Sequence, residues 1–186
     1  MVDSHIPSPK RDEDKPFLMW IENKYKIPGI GTVATGRVER GKIEKGKGLE
    51  IVGLGPNLET TVKGIQAFRK IKDAAVAGDD AGIALSGIDF EKIGRGQVLS
   101  APGKATSHTK FAASVYIFKP EEGGRRTPFG NGFRPQFFFK TVDVTGTIKL
   151  ESDDKLINPK EVKEAVEMEV ELENNIFMEK GSKFII

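Results

Sequence analysis

Apolar residues from Phe17 onward occur in short runs that are separated by glycine and other turn-forming residues. The runs have the length of β-strands, and no stretch keeps the 3.6-residue period and caps of a long helix. Six short strands with close turns favour a small closed barrel in the first half of the chain. The six runs are FLMWIE, GTVATGRVE, GLEIVG, TTVKGIQAF, AGIALSG and GQVLS.

The second half follows APGKATSHTK at 101–110, a segment of small and polar residues. Alternation then resumes with a predicted strand that starts at Phe111, and it is clearest at 164–173. There, apolar and acidic residues alternate with the period of two that places one face in a core and the other in water. The apolar set is Val166, Met168, Val170 and Leu172, and the acidic set is Glu167, Glu169, Glu171 and Glu173.

These patterns predict an all-β fold with two consecutive antiparallel β-barrels. The predicted divisions are a linker at 1–16, a barrel at 17–103 and a second barrel at 107–186. The linker prediction depends on a polar composition and on prolines at positions 7, 9 and 16, which disfavour a helix.

Charge and composition reduce the number of functions that the chain could have. The net charge is only +2, but residues 151–186 hold ten acidic and five basic side chains, which leaves an excess of about seven positive charges on the first 150 residues. A polyanion is therefore expected to contact the N-terminal four-fifths of the chain. The lack of cysteine excludes a disulfide framework and a thiol nucleophile. No apolar run has the length of a membrane helix, so no membrane partner is expected.

Catalytic chemistry has little support in the sequence. His5 and His108 lie in predicted linkers without a neighbouring ligand set. The glycine-rich stretches GKIEKGKG and IPGIGT lack the Walker A pattern, and the acidic pairs at 79–80 and 153–154 are typical of solvated turns. We therefore predict that the chain is not an enzyme and holds no metal.

Two groups of basic residues allow either nucleic-acid binding or a solvated surface. In the first half, lysines and arginines are interleaved with Phe17, Tyr25 and Phe68, and aromatic rings next to cations suit RNA. In the second half, Arg125 and Arg126 follow a Gly-Gly turn, where they either clamp a phosphate backbone or flank a core strand. The basic residues of the first half are Lys24, Arg37, Arg40, Lys42, Arg69 and Lys70.

Seven blocks that together span almost the whole chain resemble elongation factor Tu of the bacterial or organellar type, and they occur in the order of that family. A set this long is far more specific than one short motif. The blocks are DKPFLM (14–19), GTVATGRVERG (31–41), RGQVL (95–99), SHTKF (107–111), EEGGR (121–125), RPQF (134–137) and DVTGTI (143–148).

The resemblance implies the second and third domains of that factor, two β-barrels that hold the acceptor end and T stem of aminoacyl-tRNA for delivery to the ribosome. The family's GTP-binding motifs do not occur in residues 1–186. GTP and magnesium would therefore belong to a GTPase domain, and no cofactor is expected here. Further expected partners are the ribosome and either the GTPase domain or a nucleotide-exchange factor. The expected compartment is a bacterial cytoplasm or an organelle matrix, of a mitochondrion or a plastid.

The resemblance also implies two sets of site residues. Several of them depart from the family pattern: Asn23 stands where the family has Asp, Tyr25 where it has Phe, Gln66 where it has Glu, and Asp80 where it often has Asn. Arg126 replaces a typical His. The implied pocket for the aminoacylated 3′ end comprises Glu22, Asn23, Tyr25, Thr35, Gln66, Phe68, Arg69 and Asp80, and the implied T-stem contacts are Arg125, Arg126 and Thr145.

A different interpretation is a truncated paralogue or fragment that serves as a structural subunit or scaffold in an assembly, without tRNA delivery. The family continues past the position of Ile186 with another glycine-rich strand. We therefore expect open edges in the second barrel, where a protein partner could add a strand. On this view Phe177, Phe184, Ile185 and Ile186 would lack cover.

Overall fold

The computed structural model describes residues 11–67, 70–152, 154, 156–162 and 164–186. Strands account for 52% of the residues and helices for 4%, which confirms the predicted all-β class. The chain divides into two compact units, residues 1–106 and 107–186. In the described part of the chain, no helix is long and apolar enough to cross a membrane.

The described residues of the first unit form ten strands and one short 3-10 helix, Phe90–Lys92. Turn glycines with positive φ separate many of the strands, as the sequence pattern predicts. The strands are β1 (Leu18–Trp20), β2 (Asn23–Ile27), β3 (Gly31–Arg40), β4 (Lys42–Glu44), β5 (Gly48–Val52), β6 (Leu58–Ala67), β7 (Lys70–Lys72), β8 (Ala74–Val76), β9 (Asp80–Leu85) and β10 (Val98–Ser100).

Six of these strands form a closed barrel. The order of pairing is β1-β10-β5-β6-β9-β3, and β1 pairs back onto β3 to complete the ring. Inward side chains alternate with outward ones, and Met19, Ile51 and Ile83 of the core have no exposed surface. Burial of one such side chain contributes about 1.5–3 kcal/mol, so this core is the main source of stability in the unit.

Closure of the barrel depends on a glycine. A Cβ atom placed on Gly36 of β3 would lie 1.9 Å from the main-chain oxygen of Trp20 and 3.1 Å from its carbonyl carbon. No side chain fits in that space, because real Cβ atoms do not approach main-chain atoms so closely. Gly36 therefore allows the end of β1 to cross closely over β3, where the ring closes.

In the part of the second unit that the structure describes, there are six strands and one 3-10 helix, Pro120–Glu122. Four strands form a sheet in the order β11-β16-β14-β13, and β12 pairs with β15 in a separate ribbon. All of these pairings are antiparallel. The strands are β11 (Ser107–Val115), β12 (Phe129–Gly130), β13 (Gln136–Phe139), β14 (Val142–Lys149), β15 (Leu156–Ile157) and β16 (Val166–Phe177).

The C-terminal residues are better covered than the sequence suggests. Phe177 is only 4% exposed, and the Phe184 ring centroid lies 5.2 to 5.7 Å from those of three other phenylalanines. The main chain of Ile185 bonds to Phe138 at the edge of β13, with N–O distances of 2.8 and 3.1 Å. The expectation that Phe177 and Phe184 lack cover is therefore wrong, because the chain folds back onto the sheet. Ile185 and Ile186 remain 70% and 41% exposed.

Replacement of Gly36 by alanine tests the barrel closure. We expect Gly36→Ala to lower the free energy of unfolding by about 3 kcal/mol, because the methyl group forces β1 away from β3. Gly64→Ala is the matched control: Gly64 also lies in a strand, and a Cβ there meets nothing within 4 Å. Urea unfolding monitored by Trp20 fluorescence gives the comparison. Equal midpoints for the two variants would contradict the role of Gly36.

Candidate RNA-binding surfaces

A row of four residues crosses four strands on the outer face of the first barrel. Asn23 on β2 lies opposite Thr35 on β3. Thr35 lies opposite Gly82 on β9, and Gly82 lies opposite Gln66 on β6. Residues opposite each other in an antiparallel sheet share a face, with Cβ atoms about 4.5–5.5 Å apart. Ala34, next to Thr35, is fully buried in the core, so the row faces outward.

Gly82 forms a depression in the middle of this row. A Cβ atom there would lie 3.5 Å from Cγ2 of Thr35 and 3.5 Å from Cγ1 of Val33, which is ordinary van der Waals contact. The absent side chain therefore leaves a space in which a methyl group would touch the Thr35 and Val33 side chains. Sequence reasoning did not identify Gly82, and its only signal was the run of small residues in AGIAL.

The next row extends the depression. It crosses the same strands in register and is formed mostly by small or buried residues. Tyr25, at one end, is 51% exposed, whereas Ala84 in the middle is 6% exposed. We call the surface of the two rows the trough. Its rows are Asn23–Thr35–Gly82–Gln66 and Tyr25–Val33–Ala84–Gly64.

Two carboxylates lie beside the trough. Glu22 is exposed, and its main-chain N–H donates to the Thr35 carbonyl at 2.8 Å. Asp80 is exposed on β9 and lies opposite Arg37 on β3, two residues from Gly82. The structure thus brings together six of the eight predicted pocket residues. The other two, Phe68 and Arg69, lie outside the described residues.

Several basic residues of the first unit stabilise its own loops. Lys24 Nζ donates to the Phe90 carbonyl at 2.8 Å and lies 4.1 Å from the centroid of the Phe90 ring. Arg40 Nε donates to a main-chain carbonyl of the lead-in segment at 3.3 Å. Lys42 pairs with Glu44 at 2.7 Å, and this hydrogen bond raises the pKa of Lys42 and lowers that of Glu44. Part of the basic surface that the sequence suggests is therefore engaged in internal contacts.

In the second unit, the Arg125 side chain is held in place by two contacts. Its guanidinium carbon lies 4.5 Å from the centroid of the Phe133 ring, and its Nε donates to the Thr127 carbonyl at 3.0 Å. The Phe133 ring packs in turn on that of Phe129, with centroids 5.1 Å apart. A cation on an aromatic face keeps its charge available to a further anion. Arg126, the next residue, is exposed.

The turn before Arg125 is rigid for identifiable reasons. A Cβ on Gly124 would lie 2.0 Å from the main-chain oxygen of Phe118, so only glycine fits there. The Glu122 carboxylate accepts hydrogen bonds from the Lys119 N–H at 2.8 Å and from the Tyr116 hydroxyl at 3.0 Å. These bonds hold the pKa of Glu122 below its ordinary value and raise that of Tyr116. The EEGGR block therefore forms a fixed support for the arginines.

Thr145 belongs to the same framework. It lies on β14 opposite Gln136 of β13. The main chain of Phe133, on which Arg125 rests, accepts a hydrogen bond from the Ile148 N–H of β14 at 2.9 Å. The predicted T-stem residues Arg125 and Thr145 are thus anchored to one hairpin. Among the described residues there is no group of three His, Cys, Asp or Glu side chains that could hold a metal ion.

Comparison with known protein families finds one matching family model for each of the two units. The family model described as elongation factor Tu domain 2 matches residues 31–100. The model described as elongation factor Tu C-terminal domain matches residues 104–186. The two matches are consecutive and together cover most of the chain. They agree with the resemblance that the seven sequence blocks carry.

The contact between Tyr116 and Glu122 gives a test of the rigid turn. The pKa of Tyr116 is raised above 10.0 because the neutral hydroxyl donates to the carboxylate. While Glu122 is ionised, this contact stabilises the fold fully below pH 10.0, and it is lost as the pH rises through the higher folded-state pKa of Tyr116. In a Tyr25→Phe variant Tyr116 is the one remaining tyrosine. We expect its ultraviolet titration midpoint above 10.0, and Glu122→Gln should return it to about 10. Identical midpoints would rule the contact out.

Proposed function

The chain belongs to the elongation factor Tu family, and we propose that it binds aminoacyl-tRNA without catalysing a reaction. In this proposal the trough of the first barrel takes the aminoacylated 3′ end, and the second barrel contacts the RNA backbone. The observation that carries the proposal is the depression at Gly82, which lies between the polar residues Thr35 and Gln66 on the barrel face.

The trough has chemistry that suits the end of a tRNA. Tyr25 is half exposed and offers a ring on which a base or ribose can pack. Asn23 and Gln66 are both exposed, and their amides can donate hydrogen bonds to hydroxyl and ester oxygens and accept them from hydroxyl groups. The depression at Gly82 leaves room for a group to approach the sheet itself. A base, a sugar and an ester can therefore be bound along one row of residues.

The charges beside the trough favour an aminoacylated end over a free one. An aminoacyl ester carries an α-ammonium group, whereas a deacylated 3′ end carries only hydroxyls. The exposed carboxylates of Glu22 and Asp80 attract that ammonium group, and Asp80 supplies a charge where the family often has a neutral residue. We propose that Asp80 partly replaces the acidic groups that the family has at the positions of Asn23 and Gln66, whereas Glu22 is a residue that the family shares.

In the second barrel, Arg125 and Arg126 would bind phosphates of the RNA backbone. Arg125 is already held by Phe133 and the Thr127 carbonyl, so it loses little side-chain entropy on binding. Thr145 adds a hydroxyl on the same hairpin framework. Backbone contacts of this kind fix the position of an RNA without reading its sequence, which suits a protein that binds many tRNAs.

A structural role is the second candidate. Phe138 and Ile185 face each other at the edge of the second sheet and are 48% and 70% exposed. Adjacent exposed apolar side chains at a sheet edge suit a protein partner that adds a strand. A chain that does not distinguish aminoacylated from deacylated tRNA, and that self-associates through this edge, would support this role instead.

Filling the depression tests the 3′-end site. We expect Gly82→Val to weaken binding of aminoacyl-tRNA by about tenfold or more, because the branched side chain occupies the space of the ligand. Fluorescence anisotropy with 5′-labelled acceptor-stem RNA, both aminoacylated and deacylated, measures the loss. Gly94→Val is the control, since a Cβ at Gly94 meets nothing within 4 Å and the residue lies outside the trough.

The unsubstituted chain should bind the aminoacylated RNA more tightly than the deacylated RNA, and Gly82→Val should bind the two RNAs with similar affinity. Thermal unfolding of each variant separates a filled site from a damaged fold. If Gly82→Val keeps full affinity while its melting temperature is unchanged, the trough is not the site.

Removal of the two arginines tests the backbone contacts. Arg125→Ala and Arg126→Ala should weaken binding of all tRNAs alike, and each should reduce the slope of log K against log salt concentration by about 0.7 to 1. Lys180→Ala removes the same charge from an exposed position in the same unit and serves as the control. An unchanged salt slope in the double arginine variant would place the RNA contact elsewhere.

A further inference from the structure

The turn between β12 and β13 contains the one Asn-Gly pair of the 186-residue sequence, Asn131 and Gly132. The Phe133 N–H donates to the Gly130 carbonyl at 3.2 Å, which closes a β-turn with these two residues at its centre. Gly132 has a φ of 78°, as the third position of a type II turn requires. The Asn-Gly pair explains why a turn forms here, but the proposed function gives Asn131 no role.

The side chain of Asn131 ties this turn to the end of β14. Its Oδ1 accepts a hydrogen bond from the Leu150 N–H, and its Nδ2 donates to the Ser152 carbonyl at 3.1 Å. The Gly132 N–H donates to the Ile148 carbonyl at 3.1 Å. The amide group of Asn131 therefore acts as donor and acceptor at once, which an ionised carboxylate cannot do.

We propose that Asn131 is a site of deamidation. The Gly132 main-chain nitrogen attacks Cγ of Asn131 and loses its proton, and the Nδ2 group leaves as ammonia. The product is a five-membered succinimide. Water then opens one of its two carbonyls, which gives either aspartate or isoaspartate. The net change is the uptake of one water molecule and the release of one ammonia molecule, so no oxidant or cofactor is needed.

The surroundings favour this asparagine over Asn158, Asn174 and Asn175. Asparagine is among the thermolabile residues, and glycine as the next residue offers the least hindered nitrogen. Gly132 is exposed, and a Cβ there would meet nothing within 4 Å, so water reaches the turn. Asn158, in contrast, precedes Pro159, whose nitrogen carries no hydrogen to lose. Asn174 and Asn175 precede larger residues on β16.

The fold controls when the reaction occurs. While the turn is closed, the Gly132 N–H and the Asn131 amide are both held by hydrogen bonds to β14 and the residues after it. The nitrogen can reach Cγ only after these bonds open, so the rate follows the local opening of the turn. The extent of deamidation therefore depends on how often this part of the second unit opens.

The product would loosen the packing that holds Arg125 in place. The consequence of this change for RNA binding rests on the proposed function. The turn joins Phe129 to Phe133, and Arg125 lies over the Phe133 ring. Aspartate lacks the Nδ2 donor and places a carboxylate against the Ser152 carbonyl, which is repulsive. Isoaspartate also lengthens the main chain by one carbon between the two phenylalanines. Either product loosens the ring pair on which Arg125 rests.

Peptide mapping by mass spectrometry tests the modification itself. The folded chain is incubated at mildly alkaline pH, and each asparagine is followed by the mass difference between an amide and an acid. We expect Asn131 to convert about tenfold faster than Asn174 or Asn158, and faster still in urea as the turn opens. If Asn131 stays intact as long as Asn174 in the folded chain and in urea, the proposal is wrong.

The effect on RNA binding is measured separately with Asn131→Asp. We expect its affinity for tRNA to fall by about threefold, while Asn174→Asp, which adds the same charge at an exposed position of β16, binds as the unmodified chain does. Arg125→Ala is measured in parallel. If Arg125→Ala has no effect, the proposed RNA contact fails. If Arg125→Ala weakens binding and Asn131→Asp does not, the link between the turn and Arg125 fails instead.

Discussion

The close approach of the Trp20 carbonyl to Gly36 is the constraint on which the first unit depends. It lets β1 pair with both β10 and β3, and this double pairing turns an open sheet into a ring. The chain continues directly from Trp20 to Glu22 and Asn23, which lie beside Thr35. The same contact that closes the barrel therefore sets the position of one side of the trough.

The pattern of short apolar runs was sufficient to predict the six strands of the first barrel and the all-β class, because burial on one face imposes such a pattern. It did not predict β2, β4, β7 and β8, which lie outside the six runs. β16 is the clearest example: Met168, Val170 and Leu172 are 4% exposed or less. The trough was harder to predict, since it depends on which residues face each other across strands that are distant in sequence. Gly82 is a depression only because the register places it between Thr35 and Gln66. The return of Phe184 to the sheet is likewise a long-range contact that no local pattern specifies.

A count of charged residues along the sequence overlooks the ion pairs that these residues form with one another in the structure. Lys110 and Lys149 both pair with Glu171, at 2.9 and 3.0 Å, and Arg134 pairs with Glu173. The acidic face of β16 is thus partly neutralised by bases from β11, from β14 and from the connection between β12 and β13, and these bases are less available to a polyanion. Arg125 differs because its partner is an aromatic ring, which holds the guanidinium without cancelling its charge.

A common arrangement positions candidate contact residues in both units. Thr35 precedes Gly36, Arg125 follows Gly124 and Thr145 precedes Gly146. At each of these glycines a Cβ would lie less than 3 Å from a neighbouring residue, the nearest being Trp20, Phe118 and Leu172 in turn. Close packing at the glycine fixes the main chain, so the side chain of the adjacent residue points in a defined direction. Gly36, Gly124 and Gly146, which belong to the blocks GTVATGRVERG, EEGGR and DVTGTI, therefore have a physical reason: they fix the main chain beside the residues proposed to contact the RNA.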